Sequence, residues 1–389
     1  MDYKEILEST VGVPFSKGNS IKVLNNGIEI FPAMLHAIDS AEHQIDFLTF
    51  VYWEGDIANR FARALAKKAE EGLEVRVILD SFGAAFMPEE LVELMEESGV
   101  KVEWFRPFKQ WKVWKSDNRT HRKVLICDGC VAFTGGVGIA EEWEGDARDP
   151  SEWRETHFQI EGPAVKGLQS AFLENWIEAG RKLEIGLPWH ENNGQTPLLD
   201  DDQSIQNIPL QVVRTSASVR WSDIVILYKT LIQMAQKSIR ITTAYFNPNE
   251  PMVQRLCEAA ERGVDIHIMM PGKHMDKRVA NIAGSDRFEE LLNAGVKIWQ
   301  YQKTMLHTKI IVIDGVVSCI GSANFNHRSM LKDDEVNLVA LSDGLAETLI
   351  THFNKDLEYC EEVKEGSWKR RNIFRRALES FTRPFKQEI

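Results

Sequence analysis

Two stretches of the chain carry the same three side chains at the same spacing. THRKVLICDG holds His121, Lys123 and Asp128, and LHTKIIVIDG holds His307, Lys309 and Asp314. Both read H-x-K-x4-D, and the two histidines stand 186 positions apart. On an extended strand, residues i and i+2 face one side, so each histidine shares a face with its lysine while Arg122 and Thr308 point the other way. Two imidazoles facing each other across a pseudo-twofold axis can divide the work of displacement at phosphorus. One attacks as a nucleophile; the other gives a proton to the leaving group and later takes one from the acceptor. Two lysines supply fixed positive charge for a pentacoordinate phosphate transition state. The set needs no metal or other cofactor, and no carboxylate cluster that would hold a metal is visible in the sequence. Asp128 and Asp314 complete the motifs and are counted with the candidate catalytic residues. Each precedes a glycine, and Asp-Gly suits a tight hairpin turn, so their expected role is to hold geometry.

A larger frame has to bring these strands together. With 389 residues, 43% hydrophobic and 27% charged, the chain is long enough for two domains of ordinary globular composition. The first half predicts helices over 30–40, 56–71 and 88–98, alternating with strands over 44–53, 75–80 and 100–105. The second half predicts helices over 224–237, 251–262 and 286–294 and strands over 239–246, 264–270 and 296–301. The letters repeat as well: AKKAEEGLEVRVILD against CEAAERGVDIHIMMP, and MEESGVKVEWF against LLNAGVKIWQY. In each half the histidine–lysine strand follows. The reading is an α/β protein of two similar β/α sandwich domains from an internal duplication, pseudo-twofold, with the active site at their interface. The domains fall at 20–185 and 211–362, with a proline-containing linker at 186–210 and a basic amphipathic segment at 363–389.

A formal net charge of −12 argues against a nucleic-acid partner, whose phosphates need a cationic surface. The five cysteines form no secreted disulfide framework, and Cys127 and Cys130 lack the second ligand pair of a four-ligand metal site. The N-terminal stretch has no basic region followed by an apolar core, and no run of about eighteen apolar residues occurs. A cytoplasmic protein that meets membranes peripherally is therefore expected. Two basic stretches stand out against the acidic background. FRPFKQWKVWKSDNRT interleaves Phe105, Phe108, Trp111 and Trp114 with Arg106, Lys109, Lys112 and Lys115, which suits anionic headgroups; a packed connecting loop is the alternative. Near the C-terminus, Ile373, Phe374, Ala377, Leu378 and Phe381 share a helical face opposite Arg370, Arg371, Arg375 and Arg376. Such a helix lies in a membrane surface or docks on its own domain.

The paired motifs resemble those of the phospholipase D superfamily. The flanking text NRTHRKVLICDGCVAFTGG, WRETHFQIEGPAV, GSANFNHRS and DDEVNL is most similar to the bacterial cardiolipin synthases. The resemblance implies two similar domains around one central site, a covalent phosphohistidine, and a phosphatidyl group moved from phosphatidylglycerol or another phospholipid to an alcohol or a second phosphatidylglycerol. It implies an anionic phospholipid and a membrane surface as partners, and it carries His121, Lys123, His307 and Lys309 over as catalytic. In the family, a carboxylate downstream of each motif bonds the far nitrogen of its histidine. The matches are Glu155 in WRETH and Glu335 in DDEVN, 34 and 28 positions after their histidines. Ser322 and Asn324 match polar residues that the family aims at phosphate oxygens. One position departs: where an asparagine is expected three residues after Gly135, this chain has Gly138, so the halves cannot be chemically identical. Analogy with two-copy members makes His121 the nucleophile and His307 the acid and base. Phospholipid hydrolysis on the same phosphohistidine and nucleic-acid phosphodiester cleavage are the competing functions; an inactive scaffold is disfavoured by two intact His–Lys pairs.

Overall fold

The computed structural model describes residues 2–107, 118–182, 204–216, 221–276 and 287–364. The aromatic-basic stretch from 108 to 117, residues 183–203 of the expected connection and the basic C-terminal segment from 365 lie outside the described residues.

One sheet runs through both halves. The first half contributes β1 (Ser16–Asn25), β2 (Gln44–Thr49), β3 (Glu74–Asp80), β4 (Lys101–Phe105), β5 (Val124–Cys127), β6 (Val131–Gly135) and β7 (Thr156–Glu161). The second contributes β8 (Ser204–Ser216), β9 (Trp221–Ser222), β10 (Ser238–Thr242), β11 (Asp265–Pro271), β12 (Lys297–Tyr301), β13 (Ile310–Ile313), β14 (Val317–Gly321), β15 (Glu335–Leu341) and β16 (Cys360–Glu362). Across the sheet the order is β4-β3-β2-β5-β6-β7-β1-β8-β15-β14-β13-β10-β11-β12-β16, with β9 beside β8. The order reads outward from the central pair in matching steps, which is the duplication seen in three dimensions. β1 and β8 run antiparallel at the seam, with Lys22 opposite Ser204 and Ser16 opposite Leu210.

Strands β2, β3 and β4 are parallel, as are β10, β11 and β12. Parallel neighbours need crossovers, supplied by α3 (Asp56–Glu70), α4 (Glu89–Glu97), α7 (Glu250–Glu261) and α8 (Phe288–Asn293). Strand residues alternate between the two faces: Val75, Val77 and Leu79 join the core under α2 (Asn26–Ser40), α3 and α4. The opposite face carries Leu48, Ile78 and Ile126 of the first half with Ile310, Val312 and Ile320 of the second. Helices α5 (Val165–Glu178) and α9 (Asp343–Leu357) cover that shared face. The arrangement is the α/β sandwich duplication that the alternating pattern implies.

Three local expectations change. The opening of the chain, ahead of the first predicted element, forms α1 (Tyr3–Val11), capped by Asp2 and ended by Gly12 at φ 75°. Its Leu7 and Val11 are buried with Ile224, Leu227 and Leu231 of α6 (Asp223–Met234), so the first helix belongs to the core of the second half. Residues 204–210, read as linker, begin β8 because alternate residues Ile208 and Leu210 are buried while the strand pairs with β1. The strands expected to run to 53 and 246 stop at Thr49 and Thr242, close to where their antiparallel partners β5 and β13 begin, at Val124 and Ile310.

Candidate active site

Both His–Lys pairs stand just ahead of a strand, not on it. Upstream of β5 and β13 the chain is extended, but it bridges to the opposite half, Thr120 to Asp334 and Leu306 to Arg154. The hydrogen bonds match. His121 N donates to Asp334 O at 2.9 Å and Asp334 N to Arg119 O at 2.8 Å; His307 N donates to Arg154 O at 2.8 Å and Arg154 N to Met305 O at 2.8 Å. Each bridge is parallel, so the residue after it on one chain lies beside the residue after it on the other. Glu335 therefore reaches His121, with Oε1 and Oε2 at 2.9 and 3.1 Å from Nδ1. Glu155 reaches His307, with Oε2 at 2.7 Å from Nδ1. This corrects the expected pairing of each histidine with the carboxylate downstream in its own half. The pairs are crossed, so each imidazole meets the carboxylate of the other half. A carboxylate on Nδ1 keeps the proton there and steadies the imidazolium, so chemistry at phosphorus falls to Nε2.

The lysines share the histidines' side, as the i, i+2 spacing requires. Lys123 Nζ donates to His121 O at 2.8 Å. Lys309 Nζ bonds His307 O and lies 3.1 Å from His307 Nδ1 and 3.4 Å from Nε2, so its cation sits against the edge of the ring. On the other side, Arg122 is buried and donates to Ala171 O and Thr215 O, both at 2.6 Å. Lys123, Lys309, Glu155 and Glu335 are all buried, and burial dominates their protonation. It pulls Lys123 down to about 7 and Lys309 to about 8, against the attraction of both glutamates. It pushes Glu155 and Glu335 up to about 7, opposed chiefly by Lys309 and Lys123 respectively. Two ammoniums and two carboxylates come close to cancelling, and an entering phosphate anion favours the charged lysines.

The motif aspartates do not join this group. Asp128 and Asp314 take φ of 53° and 55° in their turns. Asp128 accepts from the amides of Glu42, His43 and Gln44 at 2.8–2.9 Å, pinning the hairpin to the start of β2. Asp314 does the same for Gln236, Lys237 and Ser238 at 2.7–2.8 Å and accepts Tyr3 Oη at 2.6 Å. Their place in the catalytic set is corrected to one of fastening. Ser322 is likewise turned from phosphate to protein: its Oγ donates to Glu335 Oε2 at 2.5 Å. The equivalent first-half residue is Gly136, where a Cβ would come within 2.3 Å of Glu155 Oε2, so that carboxylate occupies the space. Asn324 is 2% exposed, and its Oδ1 has no hydrogen-bond partner among the described residues. The gap left at Gly138 is filled: a Cβ there would meet Val51 Cβ at 2.8 Å and Trp143 Cζ3 at 3.0 Å.

Sequence reasoning missed the aromatic lining. Trp143, Trp153 and Tyr245 surround His307 with ring centroids 5.2, 5.3 and 6.4 Å away, whereas His121 has Phe50 at 5.0 Å. Trp153 was within reach, two residues before Glu155 in the quoted WRETH; Trp143 carries no local signal. Asp80 was missed too, a buried carboxylate that accepts from Thr120 N at 3.2 Å and so braces the segment entering His121.

The family model described as cardiolipin synthase, PLD-like domain matches the chain twice, over residues 34–147 and 228–357. The chain belongs to the cardiolipin synthase family. Cardiolipin synthase 1 of Bacillus cereus is 31% identical over 383 residues, covering 97% of this chain and 74% of the relative. The cardiolipin synthase of Clostridium perfringens is 34% identical over 370 residues, covering 95% and 77%. Among solved structures, phosphatidylserine synthase of Haemophilus influenzae superposes with a TM-score of 0.71 over the whole of both chains at 13% identity, a likeness of fold. Cardiolipin synthase membership makes the chain a phospholipase D-type phosphatidyltransferase.

Proposed function

We propose that the enzyme makes cardiolipin from two phosphatidylglycerol molecules, or moves the phosphatidyl group of a related anionic phospholipid to an alcohol, through a phosphohistidine. His121 Nε2 attacks the phosphorus of the donor; the N–P bond forms and the P–O bond to glycerol breaks. His307, protonated at Nε2, gives its proton to the departing glycerol oxygen. The acceptor hydroxyl then yields its proton to His307 Nε2 and attacks the same phosphorus, and the N–P bond breaks. Lys123 and Lys309 balance charge on the non-bridging oxygens in both transition states, with Asn324 as a further polar contact. Glu335 and Glu155 steady the imidazolium at each turn of the cycle. The observation that carries this reading is the crossed pair of Nδ1–carboxylate contacts, which prepares both imidazoles for chemistry on a shared substrate.

Phospholipid substrates place the enzyme at a membrane, and we assign it to the cytoplasmic face as a peripheral protein. No helix among the described residues is long and apolar enough to cross a bilayer. The aromatic rings around His307 favour transfer over hydrolysis, because they line the site with surface that does not hold water. Vesicles of phosphatidylglycerol incubated with the protein are expected to yield cardiolipin and free glycerol by mass spectrometry. Phosphatidic acid as the sole product reassigns the enzyme to hydrolysis, and cleavage of single-stranded DNA without lipid turnover rejects the lipid assignment.

A further inference from the structure

His307 is 5% exposed and Lys309 4%, so a lipid headgroup and an acceptor alcohol reach them only when something moves aside. Two turns that are equivalent in the internal repeat meet over the site. Gln44, pinned by Asp128, lies opposite Glu74, the first residue of β3; Ser238, pinned by Asp314, lies opposite Asp265, the first of β11. Counted from there, β3 ends at Asp80 and β11 at Pro271, in matching positions. The turn after β3 delivers Ala84 and Met87, and the turn after β11 delivers Met275, to one buried cluster that holds Trp143 and Trp153.

The two turns are fastened differently. In the first, the Asp80 carboxylate accepts from Phe82 N at 2.9 Å and Gly83 N at 3.1 Å. Gly83 lies against Phe50, and its carbonyl accepts Trp53 Nε1 at 2.7 Å. The second half has none of these side chains at the matching places: Pro271 stands for Asp80, Ala244 for Phe50 and Asn247 for Trp53. Paired bonds fix that register. Thr49 Oγ1 donates to Val51 O as Thr243 Oγ1 does to Tyr245 O, and Trp53 N donates to Ile139 O as Asn247 N does to Phe325 O. The stem of the second turn is tied to β12, Gly272 N donating to Tyr301 O at 2.8 Å and Lys273 N to Gln302 Oε1 at 3.2 Å. Its tip is tied by the buried Met275 and by Tyr245 Oη, which donates to Asp276 at 2.7 Å. Tyr245 takes the place of Val51, with its ring 6.4 Å from His307. Burial, then the charge of Asp276, holds the phenol well above its usual pKa, so it stays a donor through neutral pH. Asp276 is exposed, so water competes for this bond and its net worth is small enough to open.

We propose that the turn over residues 272–276 is the gate through which alcohols reach and leave His307, and that the Tyr245–Asp276 hydrogen bond is the latch that keeps water out between steps. The inference rests on the phosphatidyltransferase reading and adds what decides transfer over hydrolysis. Water admitted to the phosphohistidine would give its proton to His307 Nε2 and attack the phosphorus as the N–P bond breaks, releasing phosphatidic acid. The first turn, held through Asp80, Phe50 and Trp53, stays in place as the frame against which the second closes.

Carbethoxylation of His307 by diethylpyrocarbonate, followed by peptide mass spectrometry, reads opening without turnover. Tyr245→Phe keeps the ring and removes the latch. It is expected to speed modification of His307 relative to His121 by about tenfold, the scale of one hydrogen bond to a charged group. Asp276→Ala, at an exposed position, is expected to give the same gain and reads the same bond if Tyr245→Phe unfolds early. The double variant should gain no more than either single one, because each loses the same bond. With phosphatidylglycerol vesicles, both variants should raise the ratio of phosphatidic acid to cardiolipin by a similar factor. A parent-like modification rate in both variants overturns the proposal, as do gains that add in the double variant. A lower unfolding midpoint with modification and product ratio unchanged assigns the pair to packing and also overturns it. Faster modification in the variants of a parent chain that makes only phosphatidic acid keeps the gate and rejects the transferase reading. Cardiolipin made at the parent ratio by variants with unchanged modification does the reverse.

Discussion

Gly138 gives the site its asymmetry. Opposite Asn324 in the internal repeat, it leaves room for Val51 and the Trp143 ring, and Trp143 then closes over His307. Restoring the asparagine with Gly138→Asn should not restore symmetry. The new side chain collides with both neighbours, and overpacking of this kind costs about 1–3 kcal/mol, read as a lower midpoint in thermal unfolding. An unchanged midpoint with higher activity would mean that the pocket has room that the fold denies. The four buried ionisable groups set a second expectation. Glu155 and Glu335, raised to about 7, must lose their protons to hold the imidazolium, so activity rises with pH through neutrality. Lys123 and Lys309, lowered to about 7 and about 8, lose their charge just above it, so activity then falls. The kcat/KM profile is therefore a narrow bell near neutral pH, while kcat, measured with an anion bound that favours charged lysines, extends further to the alkaline side. A profile flat from about pH 5 to about pH 9 contradicts this assignment of charges.

At the scale of elements, the helices and parallel strands could be read because their causes are local. Phe61, Ala62 and Leu65 fall on one buried face of α3, and Val75, Val77 and Leu79 alternate along β3. The turns at Asp128 and Asp314 were legible for the same reason. What could not be read depends on partners far along the chain. α1 is helical because Leu7 and Val11 pack on α6, and β8 starts early because β1 lies beside it. The crossed carboxylates are the clearest case: His121 and Glu335 are 214 positions apart, and no local pattern says which strand the segment before β5 will meet. Leu7→Ala tests whether the first helix belongs to the second half. Its side chain is fully buried, so truncation should cost about 2–5 kcal/mol in urea unfolding, although the helix lies far from the histidines in sequence. A loss near zero would mean that α1 is an appendage.

At the scale of the molecule, the duplication has become interdependence. Each half supplies a histidine and lysine to one side of the site and a glutamate to the other, across parallel bridges at Thr120–Asp334 and Leu306–Arg154. Glu335→Gln should therefore impair attack by His121, and Glu155→Gln should impair proton transfer by His307, each by about 10²–10⁴ in kcat, the scale of losing a positioned acid–base partner. In pre-steady-state kinetics Glu335→Gln is expected to slow chiefly formation of the phosphatidyl-enzyme, and Glu155→Gln to slow both its formation and its breakdown, because His307 protonates the leaving glycerol and deprotonates the acceptor; the reverse pattern would restore pairing within each half. The most direct measurement is intact-protein and peptide mass spectrometry of His307→Ala after exposure to phosphatidylglycerol vesicles. One phosphatidyl group on the peptide containing His121, absent from His121→Ala, is the predicted result. Steady turnover by the parent chain with no adduct on either histidine, or an adduct that persists in His121→Ala, would contradict the shared phosphohistidine site.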